Sequence, residues 1–264
     1  MQHREFTLKL WLIAALITCL GIYPISADDN KADGASKAEE EPEKTPAERL
    51  NNLMGAYRLD MQKFFTDYRA AETEEERNAL KRPEAAPTVR AVLNIIKESP
   101  EDPESPRALA WATHTGANDP NLFSEIDAVI REHFIDFERL GNICLTLSYF
   151  PSDATEDLLN HVAETSANAS AKAAAFYSLG RIQAQLGNSK QAEEFFDKVV
   201  KEFPDAEASG RSISKMAQGQ LFETRNLAIG KVAPEIEGKK ADGSDFKLSD
   251  YRGQVVVIDF FGDW

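Results

Sequence analysis

From Leu50 onward the apolar residues recur at steps of three and four: Leu50, Leu53, Met54, Tyr57, Met61, Phe64, Phe65 and Tyr68. That spacing lays them along one stripe of an α-helix. Thr45-Pro46-Ala47-Glu48 supplies the start: Thr45 caps, Pro46 takes the first helical position, and Glu48 is placed to close a capping box. Methionine and aromatic side chains at this spacing predict a packing face, core or a surface for a partner helix, rather than a ligand site.

Glu72 to Arg82 is a charged run, read as a solvated helical face, and it ends at Pro83 and Pro87. A short helix is expected over 88–98. The loop at Pro100, Pro103 and Pro106 should then break the helical region into sub-units. Beyond it, apolar periodicity predicts helices near 106–115, 121–136, 137–149, 153–165 and 170–186, and a further one over 207–227.

Within 173–206, Phe176-x-x-Leu179-Gly180 and Ala192-x-x-x-Phe196, followed by Pro204, stand at the offsets of a paired-helix unit. The pattern resembles a tetratricopeptide repeat, with Gln183 departing from the usual tyrosine. Gly180 and Ala192 should let two helices approach closely while Phe176 and Phe196 fill the space between them. Phe137-x-x-Leu140-Gly141 repeats the first half of the pattern 39 residues earlier. At least two helical pairs should therefore stack, since a lone pair leaves an apolar face wet.

The text changes at Gly230. Ala233-Pro234 opens an extended segment, Asp242-Gly243 offers positive φ to a tight hairpin turn, and Leu248-Ser249-Asp250-Tyr251-Arg252-Gly253 forms a polar turn. Val255-Val256-Val257-Ile258-Asp259-Phe260-Phe261 follows, a β-branched run suited to a strand covered on both faces. In this order the words resemble the opening of a redoxin domain, the thioredoxin-like fold of exported thiol–disulfide oxidoreductases of TlpA/ResA type, related to AhpC/TSA proteins. The family's next residues would be a Cys-x-x-Cys pair, beyond Trp264.

The resemblance implies a mechanism in which a thiolate at a helix N-terminus attacks a disulfide and a second thiol resolves the mixed intermediate. Residues 1–264 hold no such pair and are expected to be inactive in that exchange. The resemblance gives Asp259 the place of a strand acid that handles protons; a partly buried carboxylate paired with a lysine or backbone donor is the alternative. Trp264 takes the place of the aromatic next to the cysteine pair. Gly262-Asp263-Trp264 stands where a peroxiredoxin would carry Pro and Thr, which favours disulfide exchange over peroxide reduction.

The fold class expected is α+β and multidomain. Residues 1–27, with a basic start, an apolar centre and Ser26-Ala27, read as a signal peptide. Residues 28–44 read as a disordered acidic linker. Residues 45–105 form a helical N-terminal region, 106–228 an α-helical repeat, and 229–264 the truncated start of a thioredoxin-like domain. The protein is thus expected to be exported and periplasmic. Membrane anchoring arises only if Leu16-Ile17-Thr18-Cys19 serves as a lipoprotein box, where Thr18 fits poorly.

Charge and cysteine content narrow the chemistry. The net charge of −14 becomes −15 for residues 28–264, since Arg4 and Lys9 outweigh Glu5, and this argues against a nucleic-acid partner. The two cysteines, Cys19 and Cys144, allow no disulfide framework once the leader is removed. Cys144 sits in an apolar run and reads as a buried, inert hydrophobe. His114, His133 and His161 lack metal-ligand spacing, and no cofactor is expected. Asn168-Ala169-Ser170 fits a glycosylation sequon but carries no weight in a bacterial export route. Two functional classes remain: an enzyme exchanging thiols with a protein partner, or a helical adaptor that binds a protein ligand without redox activity.

Overall fold

The structure, a computed structural model, describes residues 44–227 and 229–259. The expected leader, nearly all of the acidic linker, Cys19, Phe260, Phe261 and Trp264 lie outside them. Of the α+β expectation, the helical part is observed: 66% of the described residues are helical, and the β-structure among them is two small antiparallel ribbons.

Helix α1 (Pro46–Ala70) begins as its sequence dictates. Thr45 Oγ1 accepts the Glu48 N–H at 3.2 Å, and Glu48 Oε2 accepts the Thr45 N–H at 2.9 Å. Leu50 and Met54 are buried and Leu53 packs against the core, but the apolar stripe outlasts that core. Tyr57 stands edge-on to Trp111 at 5.7 Å. Beyond it Met61 and Phe64 are half-exposed, and Phe65 and Tyr68 are 46% and 44% exposed.

Helix α2 (Glu74–Ala79) is short, capped by Thr73, and buries none of its residues. Helix α3 (Ala85–Glu98) starts before the expected residue 88, because Pro87 falls in the first turn, where no intrahelical donor is required. Helix α4 (Ser105–Gly116) packs on α3, burying Leu109 and Ala112 along with Val92, Leu93 and Ile96. The Pro-rich segment between them interrupts the helix but not the core: one hydrophobic cluster runs from Leu50 to Leu221.

Two expected helices are reshaped next. Helix α5 (Pro120–Val129), capped by Asp119, widens into a π turn over Ile130–Phe134 rather than continuing to 136. The helix expected over 137–149 contracts to α6 (Leu140–Leu147). Asn168 gives the reason: its Nδ2 donates to the carbonyls of Phe137 and Glu138, both at 3.0 Å. Those carbonyls are held by the α8 cap, and the Phe137 ring turns edge-on to Phe134 at 5.9 Å.

Helices α7 (Asp153–Thr165), α8 (Ala169–Gln185) and α9 (Ser189–Glu202) follow the predicted pattern. Every residue of α8 from Ala173 to Gly180 is buried, because α6, α7, α9 and α10 surround it. Its approach to α9 is set at Gly180, where an added Cβ would stand 2.6 Å from Phe196 Cε1. Phe196 is fully buried there and meets Tyr177 at 5.7 Å. Phe176 does not share that space. It stacks instead on Phe195 and Phe203, at 6.2 and 6.0 Å.

The final helix starts later than expected. Strands β1 (Glu207–Ala208) and β2 (Arg211–Ser212) form a ribbon turned at Ser209 and Gly210, both with positive φ. Helix α10 (Ile213–Asn226) follows, capped by Ser212. Alternate helices pack in two series, α1–α3–α5 and α4–α6–α8–α10.

Strands β3 (Glu237–Lys239) and β4 (Asp245–Lys247) form the predicted hairpin, and Leu248–Tyr251 closes as a 3₁₀ turn. No residue of this segment joins the helical core. The strand expected over 255–261 forms no ladder among the described residues, 255–259. A two-stranded hairpin leaves no inner position for a strand that needs neighbours on both edges.

Candidate functional site

The segment after Gly230 builds a small, self-contained unit. Glu237 faces Lys247 and Lys239 faces Asp245 across the ribbon, and each couple makes an ion pair, Lys239 Nζ standing 2.8 Å from Asp245 Oδ1. Gly238 lies beneath Phe246, where a Cβ would meet Phe246 Cε1 at 2.7 Å. The turn is looser than the sequence suggests, for only Gly243 has positive φ. The Asp242 carboxylate accepts both the Ser244 N–H (2.9 Å) and its hydroxyl (2.6 Å), which lowers its pKa. Glu235 accepts the Ser249 N–H at 3.0 Å and is lowered likewise by Ser249, tying the incoming strand to the 3₁₀ turn.

Past Gly253 the chain is extended. Val256 and Ile258 are 43% and 46% exposed, whereas Val255 and Val257 are 97% and 90% exposed. This alternation gives one face to the hairpin side chains Phe246, Leu248 and Tyr251 and leaves the other bare. Asp259 lies at the end of that segment, exposed, beside a shallow groove of about 390 Å³ that Lys239 and Lys240 also line. Among the described residues no hydrogen bond or ion pair engages it. Trp264 lies outside the described residues.

Cys144 is not near this unit in the fold; it is buried in α6, within the helical core. Burial pushes its thiol up to about 12. A thiol so placed is neutral at ordinary pH and shielded from disulfides. His114, His133 and His161 fall on α4, the π turn and α7. No group of three His, Cys, Asp or Glu side chains converges among the described residues.

The helical region carries a concavity that sequence reading did not isolate. A groove of about 880 Å³ lies between the Pro100–Arg107 segment and residues 132–143. Its walls mix Arg107 and Arg139 with Glu101, Glu132, Asp136 and Glu138. A second hollow, about 380 Å³, adjoins it through Glu138, Arg139 and Asn142 and reaches the Ser209-Gly210 turn. The walls are wired together: Asp136 Oδ1 accepts the Ala167 N–H at 2.6 Å, and Ser209 Oγ bonds Asn142 Oδ1 at 2.9 Å. Asn168 was legible only as a sequon, yet its Oδ1 caps α8 and its Nδ2 is spent on two carbonyls. That amide has no free hydrogen to offer a sugar.

No protein-family model, curated protein or solved structure matches the chain. None of the described helices is long and apolar enough to cross a membrane.

Proposed function

We propose that the chain belongs to an exported thiol–disulfide oxidoreductase of redoxin type, in which residues 45–227 form a helical partner-binding region and residues 229–264 open the redox domain. One observation carries this reading. Ala233-Pro234, Asp242-Gly243, Leu248 to Gly253 and Val255 to Trp264 follow the redoxin order within 35 residues. The self-contained hairpin and its 3₁₀ turn support it, because they fall at the positions that the resemblance assigns to them.

On this reading residues 1–264 bring no thiol to the reaction. Cys144 is buried and protonated, and the redoxin reading requires paired thiols that residues 1–264 do not contain. Asp259 would receive or release the proton of the resolving thiol once further structure covers its segment. The test is to read the gene past codon 264 and assay the longer product for insulin disulfide reduction. Turnover lost on replacing the paired cysteines is expected; a longer frame without paired thiols overturns the enzyme.

The groove over residues 100–107 and 132–143 favours a second reading, a helical adaptor that binds a protein ligand without redox chemistry. It gains if the longer frame proves inert while the helical region retains a partner.

A further inference from the structure

The groove between the Pro100–Arg107 segment and residues 132–143 has a sign as well as a shape. Glu101, Asp102, Glu132, Asp136 and Glu138 line it, against the two guanidiniums of Arg107 and Arg139. Arg107 is already occupied: its Nε stands 2.5 Å from Glu104 Oε2, outside the groove lining, and another of its nitrogens donates to Asn51. The carboxylates are not neutralised in this way. Asp102 and Asp136 each accept a backbone N–H, from Glu104 at 2.8 Å and Ala167 at 2.6 Å, which orients them and leaves their charge. Glu132 has only His133 beside it, at 3.8 Å. The Glu101 and Glu138 carboxylates make no hydrogen bond or ion pair among the described residues. We propose that this groove takes an extended, basic segment of a partner polypeptide, with lysine or arginine side chains on the acidic walls and an apolar side chain against Ile135 and Phe137. The inference rests on the partner-binding role that both readings above give to the helical region.

Length, backbone chemistry and apolar surface favour a polypeptide over a small cation. The hollow of about 880 Å³ runs on into the one of about 380 Å³ through Glu138, Arg139 and Asn142, which extends the trough to the Ser209-Gly210 turn and adds Glu207. Together the two exceed the range of ordinary small-molecule pockets, about 300–1,000 Å³. On one wall the exposed residues Glu138 and Arg139 have backbone N–H groups that donate to nothing among the described residues, so two donors stand open to the carbonyls of an extended chain. On the other wall Pro100, Pro103 and Pro106 contribute carbonyl acceptors and no N–H. Acceptors of that kind suit ammonium and guanidinium groups, which only donate. Ile135 and Phe137 pack on the core with one side and line the groove with the rest.

The charge of the whole chain points the same way. At a net −14 it repels acidic partners and draws basic ones, and the groove repeats that sign where a guest would sit. Attraction of this kind sets partner choice and weakens with salt.

Fluorescence anisotropy on the full chain tests this with short labelled peptides that repeat Lys-Leu-Gly, Ser-Leu-Gly or Glu-Leu-Gly. The lysine peptide should bind at least about tenfold more tightly than the other two, and lose that preference as salt rises. Glu132→Lys combined with Glu138→Lys should weaken it at least about tenfold. Glu74→Lys combined with Glu75→Lys makes the same charge change on α2, away from the groove, and should leave binding within about twofold. Circular dichroism melts of both double variants should match the parent, since all four side chains are on exposed residues. Spermine at the peptide's own concentration should not displace it; displacement would overturn the choice of a polypeptide. A lysine preference that survives the groove variant would overturn the site. Preference for the serine or glutamate peptide, abolished by the groove variant, would overturn the basic guest and leave the adaptor reading standing. Failure of all three peptides to bind would overturn both.

Discussion

Gly180 and Phe196 are matched as a hollow and its filling: a methyl group at position 180 would stand 2.6 Å from the Phe196 ring. Helix α8 can approach α9 because the first residue has no side chain and the second has a flat one. Gly180→Ala should destabilise the protein by about 1–3 kcal/mol through overpacking, despite the better helix propensity of alanine. Phe196→Ala should cost about 3–5 kcal/mol by leaving a cavity. The double variant should lose less than the two together, because the alanine methyl occupies part of the void. Urea denaturation of the four proteins checks the cycle, and strict additivity would show that the two residues are not coupled.

The thiol of Cys144 should resist modification. Its pKa stands at about 12 in the folded protein, against an ordinary 9.0, because burial disfavours the thiolate. Alkylation at pH 8 should proceed only as fast as the protein opens, and should speed up on adding urea. The linkage has a definite sign. Unfolded thiol deprotonates from pH 9 and folded thiol from about 12, so this contribution is whole below pH 9 and lost as pH rises between them. Cys144→Ala should therefore flatten the decline of stability from pH 9 to 11.

Asn168 should matter for stability rather than for glycosylation. Asn168→Asp keeps the oxygen that accepts from Ser170 and Ala171 but loses both donations to the 137–138 carbonyls. Asn168→Ala loses the cap as well. The alanine variant should melt lowest and the aspartate variant between it and the parent, with the cap alone contributing about 1 kcal/mol. Hydrogen exchange at residues 135–140 should rise in both.

The hairpin turn should loosen in acid. Asp242 and Glu235 hold lowered pKa values because Ser244 and Ser249 donate to their carboxylates. A depressed carboxylate stabilises the fold above its unfolded pKa, and that contribution disappears as pH falls through the folded value. The Ser244 and Ser249 amide resonances should therefore shift together below about pH 4, near the ordinary carboxyl range. Asp242→Asn should abolish the step at Ser244 and leave the one at Ser249.

Much of the helical order was legible because local signals were strong. Thr45-Pro46-Ala47-Glu48 dictates its helix start by short-range bonding alone, and Gly180 with Phe196 announces a close helix pair. What was hidden depended on distant partners. Nothing near residue 137 tells that Asn168, 31 residues away, will take its carbonyl and shorten α6. Ser209 gave no sign of a left-handed turn, and the helix was therefore expected to start too early. At the candidate site the hairpin and 3₁₀ turn were readable from their turn residues. The pairing of the Val-rich strand was not, since a strand's fate rests on neighbours its own sequence does not contain.

The enclosure of α8 by four neighbours changes how this molecule should come apart. In open helical arrays each unit leans only on the next, so melting can begin at an end and spread. Here a single rod serves as the shared axle for α6, α7, α9 and α10. Loss of any one of them uncovers it, and the second half of the helical region should then be lost as a block instead of fraying turn by turn.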